Sequence, residues 1–292
     1  MRKRCWLTAV CVTTSLLTAC GGRSSVTSSP VTPSAIVSTP SATPYSTGTS
    51  TGTTSTPGTG TTGSTGSTTS PLLPSIPATA TVFDAIQNTT NAWSDCSDCA
   101  GGTVTSAYST TPFLATPSLS GSSRQFFVGG PAWASALWIH KVGAQNQASH
   151  FLWDFYVYFD AASASGVWSA EYDLWQSIGG QKLMMGTQCV FGTNEWDVWD
   201  SANNKWVNTG VACPRFSGGA WHHLQWYAER ISPTQYRFNT VFVDDQPFTI
   251  NRVFDTEPTD WSDDMGVQWQ LDQNGNGTAL TEWVDKVKLT VW

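Results

Sequence analysis

The chain has 292 residues, a formal charge of −7, and only 14 Lys and Arg against 21 Asp and Glu. The basic residues are mostly scattered singly, so no nucleic-acid partner is expected. Of the 16 Trp, all but Trp6 fall at or after Trp93, which places an aromatic-rich folded unit in the C-terminal part of the chain.

The chain opens MRKR and continues CWLTAVCVTTSLLTA without a charge. A basic start and a short apolar run make a secretory signal peptide, and the run is too short for a comfortable membrane span. It ends Leu17-Thr18-Ala19-Cys20, which resembles the bacterial lipobox. That resemblance implies a signal peptide over 1–19, lipidation of Cys20, and a protein exported to the bacterial cell envelope and held to a membrane by its lipid. Losing Arg2, Lys3 and Arg4 makes the mature chain more acidic still.

Residues 20–77 are almost entirely Ser, Thr, Gly and Pro, with Arg23 the single charge. Such a segment cannot bury enough apolar surface to fold and is expected to be a disordered tether. Of the seven Cys, Cys5 and Cys11 leave with the signal and Cys20 takes the lipid. The remaining four, Cys96, Cys99, Cys189 and Cys213, suit disulfides in an exported protein. Proximity favours Cys96–Cys99 and Cys189–Cys213 among the three pairings.

Residues 78–292 show no helical period beyond a short turn near 82–90. Aromatic and β-branched runs recur between Gly, Asn, Asp and Pro clusters. Strands are predicted near 103–109, 124–128, 136–142, 151–160, 167–176, 181–190, 195–200, 221–230, 235–243, 247–254, 265–272 and 282–291. This pattern predicts an all-β domain, a two-sheet antiparallel β-sandwich. The alternation assigns faces. Phe151, Trp153, Phe155, Val157 and Phe159 oppose Asp154, Tyr156 and Tyr158. Leu224, Trp226 and Ala228, with His222, oppose His223, Gln225, Tyr227 and Glu229. Tyr236, Phe238 and Phe242 oppose Arg237 and Asn239. Val267, Trp269 and Leu271 oppose Gln268, Gln270 and Asp272. Trp153, Trp168, Trp226, Trp269 and Trp283 are expected in the core. In NEWDVWDSANNKW, an edge hairpin, Trp196 and Trp199 take opposite faces. The polar sides carry amides, carboxylates, Tyr and His rather than a Lys/Glu solvent face. That mixture suits a sugar, whose C–H patches lie on aromatic rings and whose hydroxyls pair with amides and carboxylates.

The strand VWSAEYDLWQ, 167–176, concentrates the chemistry. Trp168, Ala170, Tyr172 and Leu174 point one way; Glu171, Asp173 and Trp175 point the other. Two acids on one face can bind hydroxyls, hold a cation or do acid/base work on a glycosidic bond.

The C-terminal half, WHHLQWYAER…YRFNTVFVDDQPFTIN…GVQWQLD…EWVDKVKLTVW, resembles the concanavalin A-like lectin/glucanase superfamily, which implies a jelly-roll sandwich with glycan on its concave face. Laminarinase-like hydrolases of that superfamily carry E-x-D-x-x-E on a central strand. Here Glu171-Tyr-Asp173 matches the first two positions and Gln176 stands at the third. The resemblance therefore implies a binding face centred on Glu171, Asp173 and Trp175, with Tyr156, His223, Gln225, Gln268 and Gln270 as further ligand-binding candidates and a polysaccharide or glycan as partner.

Two enzymatic readings stand beside it. A retaining glycoside hydrolase would use Glu171 as nucleophile with Asp173 in support, and would need an acid from elsewhere, Glu229 or Glu195. A polysaccharide lyase would draw on His223, Tyr227, Arg237, Gln268 and Gln270. An envelope adhesion or structural domain without a sugar site is a further reading. No cofactor is expected. The run Asp272-Gln-Asn274-Gly-Asn276-Gly277 resembles half of an EF-hand loop, but Trp283 stands where the closing Glu belongs, so it reads as a hairpin turn. No metal ligands are assigned, while a structural Ca²⁺ elsewhere in the sandwich is compatible with the sequence.

Overall fold

The computed structural model describes residues 73–90, 93–96, 100 and 104–292. The expected signal peptide at 1–19, Cys20, nearly all of the Ser/Thr/Gly/Pro-rich segment and Cys99, with the expected Cys96–Cys99 pairing, lie outside the described residues. Among the described residues the chain is all β, with 3-10 turns at Ile86–Asn88 and Ala164–Gly166 and no α-helix.

The strands are β1 (Thr81–Phe83), β2 (Trp93–Cys96), β3 (Ala107–Leu114), β4 (Ser123–Gly129), β5 (Ser135–Lys141), β6 (His150–Phe159), β7 (Val167–Ile178), β8 (Gln181–Met185), β9 (Thr187–Val190), β10 (Glu195–Asp200), β11 (Lys205–Ala212), β12 (Trp221–Ser232), β13 (Gln235–Val243), β14 (Gln246–Asp255), β15 (Glu257–Pro258), β16 (Asp264–Gln273) and β17 (Leu280–Val291). They form two antiparallel sheets. The back sheet runs β14-β13-β12-β6-β17-β4-β3, with β1 on β17; the front sheet runs β11-β10-β9-β7-β16-β5-β2, with β8 joining β7 to β15. This is the two-sheet antiparallel sandwich expected from the sequence.

Period-two alternation fills the space between the sheets. Phe151, Trp153, Phe155, Val157 and Phe159 of β6 are fully buried, as are Trp269 and Leu271 of β16 and Leu224 of β12. Burying side chains of this size contributes about 1.5–3 kcal/mol each. Phe155 and Tyr172 both pack edge-on against Trp269, with ring centroids 4.9 and 4.7 Å away. Cys189 and Cys213 are disulfide-bonded across a sequence separation of 24, with Cα atoms 5.7 Å apart. Cys96 is also disulfide-bonded.

Several expectations shift. Glu282, not Trp283, enters the core: it pairs with Phe126 on β4 and Phe159 on β6, both inward-facing. Its carboxyl oxygens accept from the Tyr172 hydroxyl at 2.9 Å and from Trp269 Nε1 at 2.6 Å, two buried donors that would otherwise lack a partner. Trp283 turns outward beside Tyr158. Trp168, expected inside, is 38 % exposed at the start of β7, where its indole lies over Gly192 and packs edge-on against Trp133. Phe242 is not on the core side, because a bulge between Phe238 and Thr240 reverses the alternation and sends Val241 and Val243 inward instead. The strand expected near 103–109 lies at Ala107–Leu114, an edge strand, which is where Pro112 is tolerated. Gly186 divides the strand expected at 181–190 into β8 and β9.

Candidate functional site

The outer face of the front sheet carries a continuous polar row. β16 pairs Gln270 with Glu171 of β7, β7 pairs Glu171 with Gln188 of β9, and β9 pairs Gln188 with Asp197 of β10. The neighbouring row joins Gln268 to Asp173, and the next joins Asp272 to Ser169. Cross-strand partners on one face stand about 5 Å apart at Cβ, so these side chains share one surface. Glu171, Asp173, Gln268 and Gln270 are each under a tenth exposed.

These residues floor a cleft of about 480 Å³ walled by Met184, Gly186, Trp199, Trp206, Trp261, Leu137 and Ile139. Trp199 and Trp206 pack edge-on at 5.2 Å, and Trp261 is 47 % exposed on the rim. Lys182 pairs with Glu257 at 2.8 Å and lies 4.6 Å over the Trp261 ring. Gly186 keeps the floor open: a Cβ there would come within 3.3 Å of Asp173 Oδ1 and 3.4 Å of the Trp206 ring. A second chamber of about 400 Å³ shares Ile139, Trp261 and Gln268 with the first and adds Lys141, Trp175 and Asp264.

Three carboxyls meet on the floor. The backbone N–H of Thr187 donates to Asp173 Oδ1 at 2.9 Å. Ser169 Oγ donates to Asp272 Oδ2 at 2.7 Å, and Gln270 Nε2 donates to Asp272 Oδ1 at 3.1 Å. Burial, reinforced by the charges of Asp173 and Asp272, holds the Glu171 carboxyl well above the usual carboxylate range. Burial also pushes Asp173 up to about 7, opposed by a hydrogen bond from Glu171 and by the Thr187 N–H. Asp272 is pushed up to about 6 by burial, opposed by Ser169 and Gln270. The three titrate as one system, with Glu171 the proton holder. Farther along the row, burial and then Glu195 push Asp197 up to about 6.

The candidate residues thus separate into two groups. Glu171, Asp173, Gln268 and Gln270 come together as expected. Trp175 shares their face but is 2 % exposed, covered edge-on by Trp261 at 5.5 Å, and so borders the second chamber. Tyr156, His223 and Gln225 belong to β6 and β12 of the back sheet and face its outer side, on the opposite surface of the sandwich. The residues considered for a lyase are divided in the same way. Glu229 bonds Arg237 at 2.8 Å and Tyr227 at 3.3 Å on the back sheet, away from Gln268 and Gln270. Glu229 therefore cannot serve Glu171 as a partner acid. Glu195 is bound to the Gly210 N–H at the end of β10. Gln176, which stands at the third position of the hydrolase pattern, points inward and donates to Gln145 O at 2.8 Å.

Asp272 points to the cleft floor rather than into a cation loop. Asn274 Oδ1 accepts from Asn276 N at 3.0 Å and Asn276 Oδ1 from Thr278 N at 2.9 Å, the side-chain turns of a hairpin. Among the described residues no group of three or more His, Cys, Asp or Glu could hold a metal ion. Gln188, Trp206 and Trp261 are members of this surface that the sequence reading did not place there; Asp272 was placed on the face of Gln268 and Gln270 by alternation. For Gln188 the alternation was a sufficient signal. Trp261 lies in the connection between β15 and β16, where no period applies.

No family model and no curated protein matches the chain. Solved structures similar to it include arcelin-5, a lectin-like defence protein from Phaseolus vulgaris, at 13 % identity over 74 % of this chain and 99 % of that one, TM-score 0.42. A carbohydrate-binding module of a β-sandwich superfamily aligns at 9 % identity over 68 % of this chain and 57 % of that one, TM-score 0.37. The alginate lyase Aly36B with an alginate trisaccharide aligns at 12 % identity over 62 % of this chain and 86 % of that one, TM-score 0.37. Similarities of this size say nothing about activity.

Proposed function

We propose that the chain is a carbohydrate-binding protein whose glycan lies in the front-sheet cleft. The observation that carries this reading is the alternation of amides and carboxyls on one floor, Gln270, Glu171, Gln268 and Asp173, beneath the indoles of Trp199, Trp206 and Trp261. Amides donate and accept, and the Glu171 and Asp173 carboxyls add further hydrogen-bonding oxygens, which matches vicinal sugar hydroxyls. Indole faces cover the apolar C–H side of a pyranose. The cleft is large enough for a short oligosaccharide.

A glycoside hydrolase is the second reading, favoured by one feature: burial raises the Glu171 carboxyl well above the usual carboxylate range, the direction a general acid requires. Against it, Glu171 and Asp173 are hydrogen-bonded neighbours on one strand rather than two carboxyls flanking a bond from opposite sides. A polysaccharide panel assayed for both retention and reducing ends, with the full-length wild type beside Glu171→Gln, separates the two. Retention without new reducing ends, weakened in Glu171→Gln, supports binding. Reducing ends from wild type alone would make the site catalytic. Retention untouched by Glu171→Gln, Asp173→Asn and Trp206→Ala would remove the cleft from consideration.

The N-terminal sequence supports an exported chain with its lipid on Cys20, placing the domain in a bacterial envelope at the far end of the Ser/Thr/Gly/Pro-rich segment. Cys20→Ala is then expected to move the protein out of the membrane fraction. Unchanged fractionation would sink the anchor.

A further inference from the structure

The residues that the sequence assigned to the glycan face but the fold carried to the back sheet form a site of their own. Asp154 of β6 is its hub. His223 Nε2 lies 2.9 Å from Asp154 Oδ1, while Gln225 Nε2 and Lys288 Nζ reach Oδ2 at 2.9 and 3.3 Å. The ring of Tyr156 stacks on His223 at 4.3 Å with 8° between planes. Lys286 Nζ stands 5.5 Å over the same Tyr156 ring. All of these but Gln225 line a cavity of about 550 Å³ together with Gln87, Asn88, Ser120, Ser122 and Asp84.

The backbone is deformed to present Lys286. The β6–β17 register slips between Asp285 and Lys288, and Lys286 sits in the bulge with φ 51, a conformation costly for a side chain with a Cβ. Buried groups hold it there: its own N–H donates to Asp285 Oδ1 at 2.7 Å, and the next N–H, of Val287, donates to Gln87 Oε1 at 2.9 Å. Asp285 is anchored in turn by Ser118, Leu119 and Ser120. Bulges commonly re-aim a side chain toward a site. Here the result is an exposed Lys286 that makes no ion pair among the described residues, two positions from Lys288 and across from His223. Cationic groups thus converge on one cavity of a protein whose charge is −7. The acidic groups around it are Asp84 on the rim, Asp245, 3.6 Å from His223 Nδ1, Asp244, whose charge also acts on Tyr156, Asp154, which His223, Gln225 and Lys288 already satisfy, and Asp285, which Ser118, Leu119 and Ser120 satisfy.

We propose that this back-sheet cavity is a second carbohydrate site, taking a sugar that carries an anionic group, carboxylate or sulfate, which Lys286 binds with support from Lys288. The Tyr156 ring forms an apolar wall for the sugar. Asn88, Ser122 and Asp84 offer donors and acceptors for its hydroxyls. The sandwich would then hold two glycans on opposite faces, a neutral or hydroxyl-rich one in front and an acidic one behind. This site does not depend on the front-sheet reading.

Calorimetric titration of the full-length protein tests it, with trigalacturonate as the carboxylated probe, a sulfated chondroitin disaccharide, a neutral cello-oligosaccharide and inorganic sulfate. At least one anionic sugar is expected to bind, more weakly at high salt. Lys286→Ala should weaken it at least about tenfold, the size of one charge-assisted hydrogen bond. Glu171→Gln should leave it unchanged. Whichever of carboxylate or sulfate binds names the group recognised. Lys286 is exposed and Ala keeps the same backbone demand, so this variant tests binding without removing an Asp154 partner. The proposal fails if neither anionic sugar binds, or if Lys286→Ala changes nothing. It also fails if inorganic sulfate binds as tightly as the sulfated sugar, or if the neutral sugar shows the same dependence on Lys286. Loss of anionic binding in Glu171→Gln alone would return the ligand to the front cleft.

Discussion

Replacing Glu282 with Gln should leave the protein unchanged in acid and make it more stable than wild type in alkali. Glu282 is fully buried between the sheets, and burial raises its carboxyl from 4.5 to about 8, opposed by the hydrogen bonds of Trp269 and Tyr172. The sign follows from proton counts. Between about 4.5 and about 8 the folded protein keeps a proton on Glu282 that the unfolded chain has lost, so stability falls as pH rises through that window. At 1.36 kcal/mol per pH unit, the full loss is about 5 kcal/mol once the folded carboxyl has ionised. That is an upper bound, because an ionised side chain can draw in water. In the Gln variant Oε1 accepts from Trp269 Nε1 while Nε2 donates to the Tyr172 hydroxyl oxygen, the pattern a protonated acid makes, and there is no proton to lose. Denaturant midpoints for both proteins across that window measure the effect. Contributions from Glu171, Asp173 and Asp272 are common to both and cancel in the difference. Parallel stability curves at every pH would show that Glu282 does not hold its proton in the folded state, and the reasoning would fall.

Two further outcomes test other parts of the structure. The negative charge of Asp272 is one cause of the raised Asp173 carboxyl, so Asp272→Asn should lower the Asp173 midpoint from about 7. Carboxyl carbon NMR titration reads this directly, and an unmoved Asp173 would mean the carboxyls do not interact. Gly192→Ala places a Cβ 2.3 Å from the nearest atom of the Trp168 ring. It should lower stability by about 1–3 kcal/mol, the cost of overpacking. In the Trp168→Ala background the same change should cost little, and additive losses in the double variant would show that the indole does not rest on residue 192.

The polar row of the front sheet was legible because period two is a strict rule. Glu171 and Asp173 on β7, and Gln268 and Gln270 on β16, each fall on one side by alternation, and the cores of β6 and β16 follow from the same rule. The errors occur where local rules are interrupted. A single extra residue at Asn239 reversed the face of Phe242. Trp283 outranks Glu282 in hydrophobicity, but the buried Tyr172 hydroxyl and Trp269 N–H require an acceptor in the core, and that need is invisible along β17 alone. Trp168 has the alternation of a core residue yet lies at the end of its strand, where the neighbouring sheet no longer covers it.

The sequence by itself determined the class of fold and, for most strands, which side chains face inward, because a β-strand's two faces are set by backbone geometry within a few residues. The expectation of an exported-type leader ahead of a Ser/Thr/Gly/Pro-rich segment came from local composition as well. Only the tertiary structure decided which outward faces share a surface. Gln225 and Gln270 are both polar residues opposite a core face, and nothing local distinguishes them. Pairing of β12 with β6 and β13, and of β16 with β5 and β7, puts them on opposite sides of the sandwich. That choice rests on contacts between strands far apart in the chain, made all at once when the two apolar faces close on each other.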